Sequence, residues 1–213
     1  MKNKNLSSAL SFKWMFRALL LILFIYYNVI KPNNNANYIS NILLILLTSF
    51  IPDIALRLFK IKMSNSADLL IQFFIFLALF LGRMYNMYSI LPWWDLFLHF
   101  ASGALLGFLA LATLKPLIGK DNLKTLKPLF VAIYIFLFTT SGAALWEFWE
   151  FAGDQLFGLD SQLNSLMDTM TDMIMGSLSG VLISIISFFH TKNGSFRFLT
   201  GFINAFTKFN KNN

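Results

Sequence analysis

Cysteine is absent from the 213 residues. That excludes a disulfide framework, a thiolate metal site and a thiol nucleophile, and it leaves the redox compartment open. Charge is scarce as well: 13% of the residues are Asp, Glu, Lys or Arg, against 57% apolar and 17% aromatic. Such a chain has too little polar surface to stay dispersed as a water-soluble globule. No glycine-rich nucleotide loop is present, no Ser-His-Asp order, and no helical-repeat periodicity. A cleavage site is missing too. Lys2, Lys4, Lys13 and Arg17 precede the first apolar run in the manner of a signal peptide, but the following YYNVIKPNNN offers no small-residue site. The run is therefore expected to be a retained anchor.

What the chain has in abundance is spanning-length apolar sequence. Six runs, at 13–30, 38–59, 67–85, 94–114, 128–152 and 167–189, each match the roughly 17 to 25 residues that cross a bilayer. The expected fold is an all-α integral membrane protein with six transmembrane helices. A single six-span domain over 1–189 would hold a site-bearing core at 90–185, followed by a basic tail at 190–213. The net charge of +7 would suit nucleic acid in a soluble chain. Here its distribution explains it better: fifteen basic residues fall in segments on one side of the spans, against Lys31 and Arg83 on the other. By the positive-inside rule both termini are cytoplasmic and the protein is multi-pass in the cell membrane. Membrane lipids are its expected partners, and no nucleic acid is.

Taken in order, KPNNNANY reads as an exposed turn, and Pro52 should kink the second span. Asp53 and Arg57, four residues apart, are expected to pair. Asp68 follows Ser64 and Ser66 at a helix start and reads as a cap. Arg83 is either a cation for the acidic groups described next or a snorkelling anchor. In the fourth span Asp95, His99, Gly103 and Gly107 recur every four residues, and in the sixth Asp168, Asp172, Gly176 and Gly180 do the same. The glycines form seams that let membrane helices approach closely. Trp93, Trp94, Trp146 and Trp149 are expected to form an interfacial belt. The basic loop 115–127 should lie on the anionic leaflet, His190 should sit at an interface, and FRFLTGFINAFTKF reads as an interfacial amphipathic helix.

The centre of the chain is ALWEFWEFAGDQLFG, residues 144–158, where Glu147, Glu150 and Asp154 share a helical face. Carboxylates at a helix C-terminus oppose its dipole, and a charge at membrane depth costs about 2.5–3.5 kcal/mol. Ser165 and Asp168 fit a capping box, and Asp95 in a first turn serves a dipole. His99, Asp172, Glu147 and Glu150 have no such excuse. Together Asp95, Glu147, Glu150, Asp154, Asp168 and Asp172 are expected to line a cavity open to the outer leaflet. Protons or a cation must join them, because like charges at close range oppose one another's ionisation.

The blocks WWDLFLHFASG, ALWEFWEFAGDQLFG and LMDTMTDMIMGSLSG resemble the YjdF-like family of uncharacterised bacterial membrane proteins. Its pattern is Asp-xxx-His-Phe with following Gly, then Glu-xxx-Glu, then Asp-Thr-xxx-Asp with following Gly. Asp95, His99 and Phe100, and Asp168, Thr169 and Asp172 match it, as do the WEFWE glutamates, except that Glu147 and Glu150 stand three residues apart where the pattern has four. The order Asp-xxx-His, Glu, Asp, Gly is more weakly similar to VanZ-like proteins. Neither resemblance implies a reaction. Carboxylates with one imidazole suit Mg²⁺ or Mn²⁺, with Zn²⁺ as the alternative. Asp95, His99, Glu147 and Asp172 are the expected ligands; Glu150 is the general base, and His99 is also a catalytic group. Asp154, Asp168 and Arg83 support the site. Three functions fit: a metal-dependent hydrolase or transferase acting on a lipid or lipid-linked envelope substrate, a cation- or proton-coupled transporter, and a non-catalytic envelope factor.

Overall fold

A computed structural model describes residues 4–30, 36–58, 65–118 and 125–194. Its described residues form helices α1 (Lys4–Ile25), α2 (Ala36–Leu58), α3 (Asn65–Ile75), α4 (Met87–Ile90), α5 (Trp94–Ile118), α6 (Pro128–Phe157) and α7 (Leu166–Asn193), with no strand among them. π-Helical segments, Tyr26–Ile30 and Phe76–Met84, extend α1 and α3. Six helices are long and apolar enough to cross a membrane: Phe12–Ile30, Asn37–Leu58, Ala67–Met84, Trp94–Leu114, Pro128–Phe157 and Leu166–Asn193. The last two outrun the apolar runs read from the sequence because their polar ends, including Asp154 and Lys192, remain helical. α2 continues as helix through Pro52. The amphipathic helix expected after residue 194 lies outside the described residues.

Two compact units divide the chain, one running to Trp94 and the other beginning at Asp95. In the first, Phe16, Leu20, Ile42, Ile45, Ile75 and Phe80 form the core. Phe16 sets its ring edge-on to Phe76 and Phe80 at 5.5 and 5.8 Å, a preferred aromatic geometry. At one end of this core lies an ionic network. Lys13 Nζ pairs with Asp53 at 2.9 Å and with Asp68 at 2.6 Å, and Arg17 pairs with Asp53 at 2.6 Å. Arg17 also donates to Ser49 Oγ and the Ser49 carbonyl, and its guanidinium lies 3.9 Å from the Phe50 ring centre.

This network corrects two expectations. Asp53 turns to α1 rather than to Arg57, whose side chain is exposed on the far turn of α2. Asp68 is an ion-pair partner of Lys13 rather than a helix cap alone. The cause is burial: Lys13 and Arg17 are inside the bundle, where an unpaired cation is far more costly than an exposed one.

The second unit is built on small residues. α6 buries Val131, Ile135, Thr139, Ala143 and Glu147, one every fourth residue, so a single narrow ridge faces its neighbours. Against this ridge α7 lays Gly176 opposite Ala143 and Gly180 opposite Thr139, antiparallel. α5 runs parallel to α7, with Gly103 against Gly176 and Ser179, and Gly107 against Ile183. The seam of α5 thus faces α7 rather than the carboxylate side of α6, which meets α5 through Gly142 and Leu106. Ala110, Leu111, Leu114, Val131, Ile135 and Ile183 fill the half of the unit away from Glu147.

Candidate functional site

The buried ridge of α6 ends in Glu147, and the buried stripe of α7 begins at Asp172. Because the two helices are antiparallel, these two carboxyls reach the same end of the unit. Glu147 is 3% exposed, Asp172 2% and His99 8%. They are interior groups, while Asp95 and Glu150 are half-buried beside them. Asp95 lies in the first turn of α5 and Asp168 in the first turn of α7, where the positive ends of two helix dipoles favour negative charge.

His99 is the common element. One ligating atom each from Asp95, His99 and Asp172 lie within 4.8 Å of one another, and the same holds for His99, Glu147 and Glu150. His99 Nε2 is 3.6 Å from Asp95 Oδ1 and 3.6 Å from Asp172 Oδ2, too far for a hydrogen bond. Two atoms about 2.1 Å from one ion are roughly 3.0 Å apart at an octahedral angle and roughly 3.4 Å apart at a tetrahedral one, so the spacing leaves room for a shared cation.

Glu147 supplies a second sign. Its Oε2 accepts from Gln162 Nε2 at 3.1 Å, while Oε1, fully buried, has no partner of hydrogen-bonding geometry, though Thr169 is a near neighbour. A buried acceptor left without a donor costs about 1–3 kcal/mol. A carboxylate oxygen held in this way is suited to a ligand.

The other expected residues separate clearly. Asp168 lies within Coulombic range of Asp95, Glu147 and Glu150. Ser165 caps α7 by accepting from the Asp168 N–H at 3.2 Å, but the Ser165 N–H goes to the Gln162 carbonyl at 2.9 Å. The Asp168 carboxylate is therefore not used up by a reciprocal capping box. Asp154, in the last turn of α6, turns its carboxylate to the loop instead, its two oxygens accepting the Ser161 and Gln162 N–H groups at 2.8 and 3.0 Å. Arg83 is in the first unit, where its Nε donates to Asn41 at 3.0 Å. Of the four tryptophans, Trp93, Trp146 and Trp149 are exposed and suit a belt, whereas Trp94 is buried. His190, in the last turn of α7, is buried against the protein. Gln162 was not anticipated, since a single loop glutamine has no periodicity or motif to mark it.

The family described as "Predicted membrane protein (DUF2238)" matches residues 12–193. The chain belongs to that family, in keeping with the YjdF-like resemblance of its three acidic blocks. No curated protein and no solved structure matches it.

Proposed function

We propose that Asp95, His99, Glu147, Glu150 and Asp172 form a divalent-cation centre open to the outer leaflet. The centre serves a hydrolase or transferase acting on a lipid or lipid-linked envelope substrate. The observation that carries this reading is the position of His99, common to two groups of ligating atoms each within 4.8 Å. Three carboxylates, Asp95, Glu147 and Asp172, with the His99 imidazole make an oxygen-rich set suited to Mg²⁺ or Mn²⁺, with Zn²⁺ as the alternative. A cation held there acts as a Lewis acid toward a phosphoryl or acyl oxygen. Glu150, less buried than Glu147, is the general base, and Asp168 adds negative charge from the first turn of α7.

A one-sided site also fits the packing better than a translocation path. The apolar cluster around Ile183, Leu111 and Ile135 occupies the other half of the unit, and a transported ion would have to open it. Metal analysis of the purified protein tests the centre. About one divalent cation per chain should copurify, EDTA should lower the melting temperature, and one added cation should restore it, since a ligand bound only to the folded state stabilises by mass action. Glu147→Gln with Asp172→Asn should abolish both effects. A melting temperature indifferent to EDTA, with no copurifying metal, would replace this reading with protonated carboxylates.

A further inference from the structure

We infer that loop 158–165 is a strap that governs the affinity of this centre, and that Gln162 is the positioning residue through which it acts; the inference rests on the metal-centre reading above. The backbone N–H, the backbone carbonyl and the side-chain amide nitrogen of Gln162 are all engaged. Its N–H donates to Asp154 Oδ2 at 3.0 Å, its carbonyl accepts from the Ser165 N–H at 2.9 Å, and its side-chain Nε2 forks onto the Glu147 carbonyl at 3.2 Å and Glu147 Oε2 at 3.1 Å. Asp154 fastens the near side of the strap by also taking the Ser161 N–H at 2.8 Å. Gly158, at φ 65°, turns the chain out of α6 and donates back to the Asp154 carbonyl at 3.1 Å. Ser165 starts α7 on the far side. The strap is thus tied at both ends, and its middle residue grips Glu147.

The grip divides the two oxygens of Glu147. Oε2 is bound to an amide, and the buried Oε1 has no donor in hydrogen-bonding geometry, Thr169 being a near neighbour of the carboxylate, so the carboxylate is turned with one oxygen committed and the other available. A neutral amide is suited to this task. Lysine or arginine at the same place would neutralise the carboxylate and compete with a cation, whereas glutamine orients it and leaves its charge in place. Outer partners of this kind typically change metal affinity by about 10- to 100-fold. Asp154 is by the same geometry the fastening of the strap and not a ligand.

The test compares Mn²⁺ dissociation constants, measured by titration of the purified full chain, for the unmodified protein, Gln162→Leu and Gln155→Leu. Melting temperatures in EDTA are recorded alongside. Gln162→Leu should weaken Mn²⁺ binding about 10- to 100-fold. Its melting temperature in EDTA should stay close to that of the unmodified chain, which separates positioning from folding. Gln155, exposed on the last turns of α6, should tolerate leucine with no change in affinity. Equal affinity in Gln162→Leu and the unmodified protein overturns the strap while leaving the metal centre standing. Weakened binding matched by an equal loss of stability in EDTA overturns it as well. An unmodified protein that binds no Mn²⁺ overturns the centre and the strap together.

Discussion

At the scale of single residues, the ionic network of the first unit makes the sharpest prediction. Asp53→Asn removes the carboxylate shared by Lys13 and Arg17, leaving Lys13 with Asp68 and the buried Arg17 with Ser49 as its hydrogen-bond partner. Breaking a buried pair from one side costs about 3–5 kcal/mol. Arg57→Met, on an exposed side chain, should stay within about 0.5 kcal/mol. Melting of both variants in detergent decides between them, and equal stabilities would return Asp53 to the Arg57 pairing that spacing alone suggested. That pairing was inferred because four-residue spacing is visible along a sequence, whereas Lys13 and Arg17 lie 40 and 36 residues from their partner. The basic residues near the N-terminus were read only as topology signals. Glu147 and Asp172 were legible for the opposite reason: a carboxylate in an apolar run has few structural excuses.

At the scale of helices, the glycine stripes were legible but their partners were not. Periodicity marks which face is small without saying which neighbour approaches it. A Cβ at Gly103 would collide with Ser179 Oγ and the Gly176 carbonyl, and one at Gly180 would collide with the Thr139 side chain. Gly103→Leu and Gly180→Leu should therefore each lower stability by more than the about 1–3 kcal/mol typical of overpacking, because backbone or a helix-bound hydroxyl must give way. Gly153→Ala, whose added carbon meets only Leu159 Cδ1 at 3.3 Å, should be nearly neutral. Thermal unfolding of the three variants checks the order, and a Gly103→Leu chain as stable as Gly153→Ala would refute the α5–α7 seam. Gly142, where an added Cβ would lie 2.6 Å from Leu106 Cδ1, shows the same close approach between α5 and α6, but it is isolated in sequence and no stripe announces it.

At the scale of the whole molecule, the spans were readable because length and apolarity suffice to find them, whereas the expected sidedness rests on charge bias alone through the positive-inside rule. A chain with no native cysteine allows a direct check. Asp160→Cys, in the loop beside the acidic end, should react with an impermeant maleimide in intact cells, and Asp121→Cys should react only after lysis. The reverse pattern would move the centre to the cytoplasmic face. The Lys13–Arg17–Asp53–Asp68 network also has a meaning in time. Asp53 follows Lys13 by 40 residues, which at roughly 5–20 residues per second is a delay of roughly 2 to 8 seconds during synthesis. For that interval α1 carries two cations whose neutralising partners do not yet exist. The charges of α1 find their partners only when α2 and α3 arrive with their carboxylates.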